Sequence, residues 1–125
     1  MGDTAFRFEK LEVWQKAMAW VKRVYNATAA FPPEERFGLI SQIRRAAVSV
    51  PSNIAEGAGR SSGAEFARFV EIAYGSLMEV VCQCRLASDL GYLPEDEHRS
   101  IRAEAEELAR MLSGLRESRK LRAES

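Results

Sequence analysis

The chain has 125 residues, 46% apolar and 29% charged, which suits one domain with a packed core and a solvated surface. Eighteen Lys/Arg balance eighteen Asp/Glu, so composition argues against a generic polyanion binder and leaves a local basic face as the route to nucleic acid. The uncharged stretch Ala46 to Ala55, which no other exceeds in length, is too short and too polar to span a bilayer, and no apolar signal core follows the N-terminus. A cytoplasmic protein with no membrane partner is expected. The halves differ mildly: residues 1–63 hold nine Lys/Arg against six Asp/Glu, and residues 64–125 hold nine against twelve.

Apolar residues recur at helical spacing in four segments. Leu11, Trp14, Met18, Val21 and Tyr25 step by threes and fours, which predicts a first helix over about 9–30 with this row as its core seam. Trp20 lies off that row, as a second interface or a partly exposed ring. Ile40, Ile43, Ala47, Val50 and Ile54 predict a second helix over about 33–58, started by Pro32 or Pro33 with Glu34 and Glu35 in its first turn. Phe66, Val70, Ala73, Leu77, Val80, Cys84 and Ala87 predict a third over about 64–90, with Ser61 or Ser62 as N-cap and Glu65 completing a capping box. Gly91 stops it. Pro94 and three acids open a fourth helix over about 94–119, seamed by Ile101, Ala105, Leu108, Leu112 and Leu115. No segment alternates with period two. The expected fold is all-α, an antiparallel up-down four-helix bundle at residues 9–119, with an N-terminal arm at 1–8 and a frayed tail at 120–125.

The stretch "RRAAVSVPSNIAEGAGRSSG", Arg44 to Gly63, interrupts this regularity. Pro51 removes a backbone donor and leaves the Ala47 carbonyl without its helical partner, which predicts a kink in a helix that then resumes. Beside the apolar row runs a polar row: Gln42, Arg45, Ser49, Ser52 or Asn53, and Glu56. Ala55 and Gly57 keep its surroundings small. Small residues admit a close neighbour, so Gln42, Ser49, Pro51, Ser52, Asn53, Ala55, Glu56 and Gly57 are candidates for a subunit interface or a structural motif. Tight packing within one bundle and a ligand surface are the alternatives.

Catalytic and cofactor chemistry finds little footing. Gly57, Gly59 and Gly63 miss the GxGxxG spacing by one place and follow a helix rather than a strand. His98 is the only histidine and reads as a surface residue. Glu95 stands three before it, but a di-metal bundle needs that pairing twice. Cys82 and Cys84 point about 200° apart on a helix, so they read as free, buried or half-buried thiols in a reducing compartment. No catalytic residue, metal site, cofactor or small-molecule substrate is expected. The basic residues are scattered: Lys16, Lys22, Arg23, Arg36, Arg44, Arg45, Arg60 and Arg68. Of these, Lys16, Lys22, Arg23, Arg44, Arg45 and Arg60 are the candidate nucleic-acid or partner contacts, against the plain reading of a solvated surface. A ring of subunits would repeat such a patch and raise weak affinity by multivalency.

"LEVWQKAM", "FPPEERFGLISQIRRAAVSVPSNIAEGAGR" and "FVEIAYGSLMEV" resemble blocks of the bacterial four-helix-bundle family encoded in intervening sequences of 23S ribosomal RNA genes. The resemblance covers about residues 6–116, and "SVPSNIAEG" is its most distinctive part. It implies an antiparallel bundle that assembles as a homopentamer, with RNA binding suspected and no catalytic residues to carry over. A distant relative, the accessory variability protein of diversity-generating retroelements, is a pentameric bundle that binds a reverse transcriptase and nucleic acid through a basic surface. The matching positions are Trp14, Gln42, Arg44, Arg45, Pro51, Asn53, Glu56, Gly57, Gly75 and Glu79. Two functions follow as expectations: a non-enzymatic homo-oligomer binding RNA or a ribonucleoprotein partner, and a protein-interaction scaffold without nucleic-acid binding.

Overall fold

The computed structural model describes the backbone of residues 6–124 and the side chains of residues 6–118. Among these, four α-helices and two short 3₁₀ turns form an all-α four-helix bundle with no strand: α1 Glu12–Thr28, α2 Leu39–Ala58, α3 Gly63–Asp89 and α4 Glu95–Glu124. Each helix packs on the next, and α4 closes back on α1. Gln42, Ser49 and Gly57 of α2 meet Gln83, Ser76 and Phe66 of α3. Lys16, Trp20 and Arg23 of α1 meet Glu107, Ile101 and Ser100 of α4. Partner numbers fall as helix numbers rise, as between neighbours of opposite direction.

The expected rows of α2, α3 and α4 face the core. Ile43, Val50, Ile54, Leu77, Leu108 and Leu112 are fully enclosed. Helix α1 differs, its expected row flanking the core with Leu11, Trp14 and Val21 packed half-buried against it. Its buried residues are Val13, Ala17, Trp20, Val24, Ala27 and Thr28. Met18 and Tyr25 stand 36% and 39% exposed, and Trp14 is only half-buried. Trp20, expected at a second interface or as a partly exposed ring, is 2% exposed, and its indole N–H donates to the Ile101 carbonyl at 3.2 Å. Both rows of α1 have helical spacing. The buried one sets small Ala17 and Ala27 where helices approach closely, and it gives the indole nitrogen the partner that a buried donor needs.

Local signals explain the ends. Ser62 Oγ accepts from the Glu65 backbone N–H at 3.1 Å and caps α3. Gly91 takes φ +82, and the Gly91 and Tyr92 amides donate to the Ser88 and Ala87 carbonyls. This is a Schellman closure, whose left-handed position suits glycine. The second helix starts later than expected. A single 3₁₀ turn spans Pro33–Glu35, Gly38 is non-helical (φ −109, ψ −109), and α2 begins at Leu39, whose N–H donates to Glu35 Oε1 at 3.0 Å. The helix then runs unbroken through buried Pro51. At the other end of the chain, α4 continues past the expected boundary at 119 to Glu124. Of the expected arm, residues 1–5 lie outside the described residues. Arg7 donates to the Ala58 carbonyl and Phe8 sets its ring edge-on to Trp14.

Candidate nucleic-acid interface

The structure divides the six candidate cations into three groups. Lys16 and Arg23 turn from α1 toward α4, where they pair with Glu107 and Glu104, each at 3.3 Å. Arg60 pairs with Glu56 at 3.0 Å and lies 4.7 Å from the Phe69 ring centroid. Lys22, Arg44 and Arg45 have no carboxylate partner among the described residues.

Arg44 is nevertheless committed. Its Nε donates to Thr28 Oγ1 at 2.8 Å, its Nη2 donates to the Tyr25 carbonyl at 3.1 Å, and its guanidinium lies 4.5 Å from the Tyr25 ring centroid. It therefore braces the C-terminal end of α1, where the helix dipole favours a cation. Arg45, one residue on, is exposed and unpaired. Arg36 lies 5.5 Å from the Phe37 ring centroid. These three arginines border an open groove of about 650 Å³ that also includes Tyr25, Phe37 and Val48. Among the described residues no carboxylate lines it. Glu35, the nearest acid in sequence to Arg36, is held elsewhere by the Leu39 N–H and the Tyr92 hydroxyl.

Arg36 is not among the six candidate cations, and Tyr25 falls on the row expected for the core of α1. Phe37 was not singled out. Its signal is the glycine that follows it. In a helix starting at Pro33, Phe37 would extend the apolar row of α2. The break at Gly38 instead leaves it 89% exposed.

The small polar row of α2 lies against α3. Ser49 Oγ and Ser76 Oγ are 2.8 Å apart, Asn53 Nδ2 donates to the Ser49 carbonyl at 2.8 Å and to its hydroxyl at 2.9 Å, and Gln42 Oε1 accepts from Gln83 at 3.2 Å. Pro51 and Gly57 are buried, Ala55 is half-buried, and Ser52, Gln42 and Glu56 are exposed. A Cβ on Gly57 would sit 2.7 Å from Phe69 Cβ and 2.9 Å from Phe66 Cδ1, so this residue's smallness serves contact within the chain. The outer edge of the row, Arg45, Ser52 and Glu56, remains open to solvent.

Cys84 is buried, and burial pushes its thiol up to about 11, which keeps it protonated and unreactive. Cys82 is exposed rather than buried or half-buried, because it falls off the core row of α3. His98 is half-buried beside Ile101 and Arg102. Among the described residues no group of three His, Cys, Asp or Glu side chains could hold a metal ion, and no helix is long and apolar enough to cross a membrane.

No curated protein matches the sequence. The fold is similar to a crystal structure from Bacteroides thetaiotaomicron VPI-5482, a protein of unknown function from the S23 ribosomal protein family. The TM-score is 0.74 at 23% identity, over 82% of this chain and 96% of that one. The family described as 23S rRNA-intervening sequence protein matches residues 9–114. That match spans the helical blocks from Glu9 through most of α4, and the chain belongs to the 23S rRNA-intervening sequence protein family.

Proposed function

We propose that this protein is a non-enzymatic, cytoplasmic homo-oligomer, pentameric as the family resemblance implies, that binds RNA or a ribonucleoprotein through basic patches repeated around the assembly. The observation that carries this reading is the carboxylate-free groove where Arg36, Arg44 and Arg45 converge. A neutral chain offers no long-range attraction to a polyanion, so affinity has to come from such a local cluster, multiplied by assembly. Lys16, Arg23 and Arg60 contribute little to it, because each is already neutralised by a glutamate.

Fluorescence anisotropy of a labelled structured RNA at two salt concentrations tests the proposal. Saturable binding that falls tenfold or more between low and physiological salt marks several phosphate contacts. Arg36→Glu with Arg45→Glu should abolish it, and both positions are exposed enough to leave folding intact. Absence of binding at low salt overturns the reading.

A second reading is a protein-interaction scaffold without nucleic-acid binding. Ile72, Leu86 and Leu90 favour it: they share one outward face of α3 at 41%, 49% and 52% exposure. Under that reading Leu86→Arg lowers the assembly mass measured by sedimentation, and RNA binding is absent at any salt.

A further inference from the structure

We infer that the groove between the ends of α1 and α2 takes unpaired RNA, with a base stacked on the Phe37 ring and flanking phosphates on Arg36 and Arg45. This inference rests on the nucleic-acid reading above and names the form of RNA it would take. Phe37 is the most exposed large apolar side chain among the described residues, at 89%. The backbone that carries the ring is fixed. It sits at the break between the Pro33–Glu35 turn and α2, and Glu35 pins that break by accepting from the Leu39 N–H. The Arg36 guanidinium lies over the ring, which leaves ring surface open to a flat partner.

The rest of the groove matches a nucleotide in charge and size. Three guanidinium groups with no carboxylate among the lining residues call for an anion. A volume of about 650 Å³ suits a ligand of one or two nucleotides. Arg44 is fixed on Tyr25 and Thr28, so it supplies a rigid positive wall. Arg45 and Arg36 are exposed and can follow a backbone. A protruding aromatic ring cannot reach stacked bases inside an A-form duplex, whose major groove is deep and narrow, but it can stack on a base that is already unpaired.

The experiment titrates the intact protein against a fluorescein-labelled oligouridylate and against an RNA duplex of equal length, for wild type, Phe37→Ala, Phe37→Trp and Arg45→Ala. Circular dichroism and sedimentation accompany each variant. Wild type should prefer the single strand. Phe37→Ala should weaken single-strand binding roughly tenfold with an unchanged salt slope, as loss of one stacking contact predicts. Phe37→Trp should restore it. Arg45→Ala should lower the slope of log affinity against log salt by about 0.7, as loss of one phosphate contact predicts. Equal affinity for both RNAs with Phe37→Ala neutral overturns the stacking inference and leaves the broader RNA reading standing. Absence of binding to either RNA overturns both. A drop in assembly mass for Phe37→Ala gives the ring to a subunit contact and overturns the inference.

Discussion

Along its α3 side, helix α2 closes on hydroxyls, an amide and a missing side chain: Ser49 with Ser76, Asn53 on Ser49, and Gly57 beneath Phe66 and Phe69. At its N-terminal end, toward α1, the same helix leaves a groove bordered by Arg36, Phe37, Arg44 and Arg45. Both edges carry polar side chains, with opposite consequences. Small neutral groups can satisfy one another in a narrow gap, so the helices come together and the polar atoms are used up. Guanidinium groups are bulky and charged, and their charge is left over even where their hydrogen bonds are made. One edge is therefore read as structural and the other as a surface with unspent binding capacity.

This contrast can be broken or sharpened by substitution, with urea unfolding as the readout of stability. A change in the core that both edges share should be the most damaging. Trp20→Ala removes a ring 2% exposed and leaves a cavity between α1 and α4, at an expected cost of about 3–5 kcal/mol. On the closed edge, Gly57→Ala drives a methyl group into Phe66 and Phe69, an overpacking penalty of about 1–3 kcal/mol that better helix propensity offsets by up to about 1 kcal/mol. A neutral or stabilised Gly57→Ala would show that the α2–α3 gap is looser than drawn. Arg44→Met keeps the stem and loses the bonds to Tyr25 and Thr28, for about 1–2 kcal/mol. Ser49→Ala leaves Ser76 with one fewer partner, for about 1 kcal/mol. Arg45→Ala should move stability by under about 0.5 kcal/mol while RNA binding weakens. If Arg44→Met and Arg45→Ala gave the same unfolding midpoint, the division of the neighbouring arginines into a bracing residue and a free one would fail.

What was legible in the chain follows from the range of each interaction. The core rows of α3 and α4, the Ser62 cap and the Gly91 closure depend on residues a few positions apart, and each appears where its local pattern places it. The row of α1 was misassigned because two rows share the helical period, and only the approach of α4 to Trp20 selects between them. Pairing of Lys16 with Glu107 and of Arg23 with Glu104 spans most of the chain, so neither cation could be discounted beforehand. The exposure of Cys82, by contrast, is within reach of the sequence, since it lies about 200° from Cys84 and off the row that the spacing places in the core.

By itself, then, the amino-acid order determined an all-α protein of four helices, their approximate limits and most of their buried rows, because hydrophobic period and capping are short-range and repeat many times. Tertiary structure alone decided which face of α1 is buried, which cations remain unneutralised and that Phe37 points outward. Those outcomes rest on single contacts between distant residues and on one backbone break at Gly38, for which no repeated pattern votes.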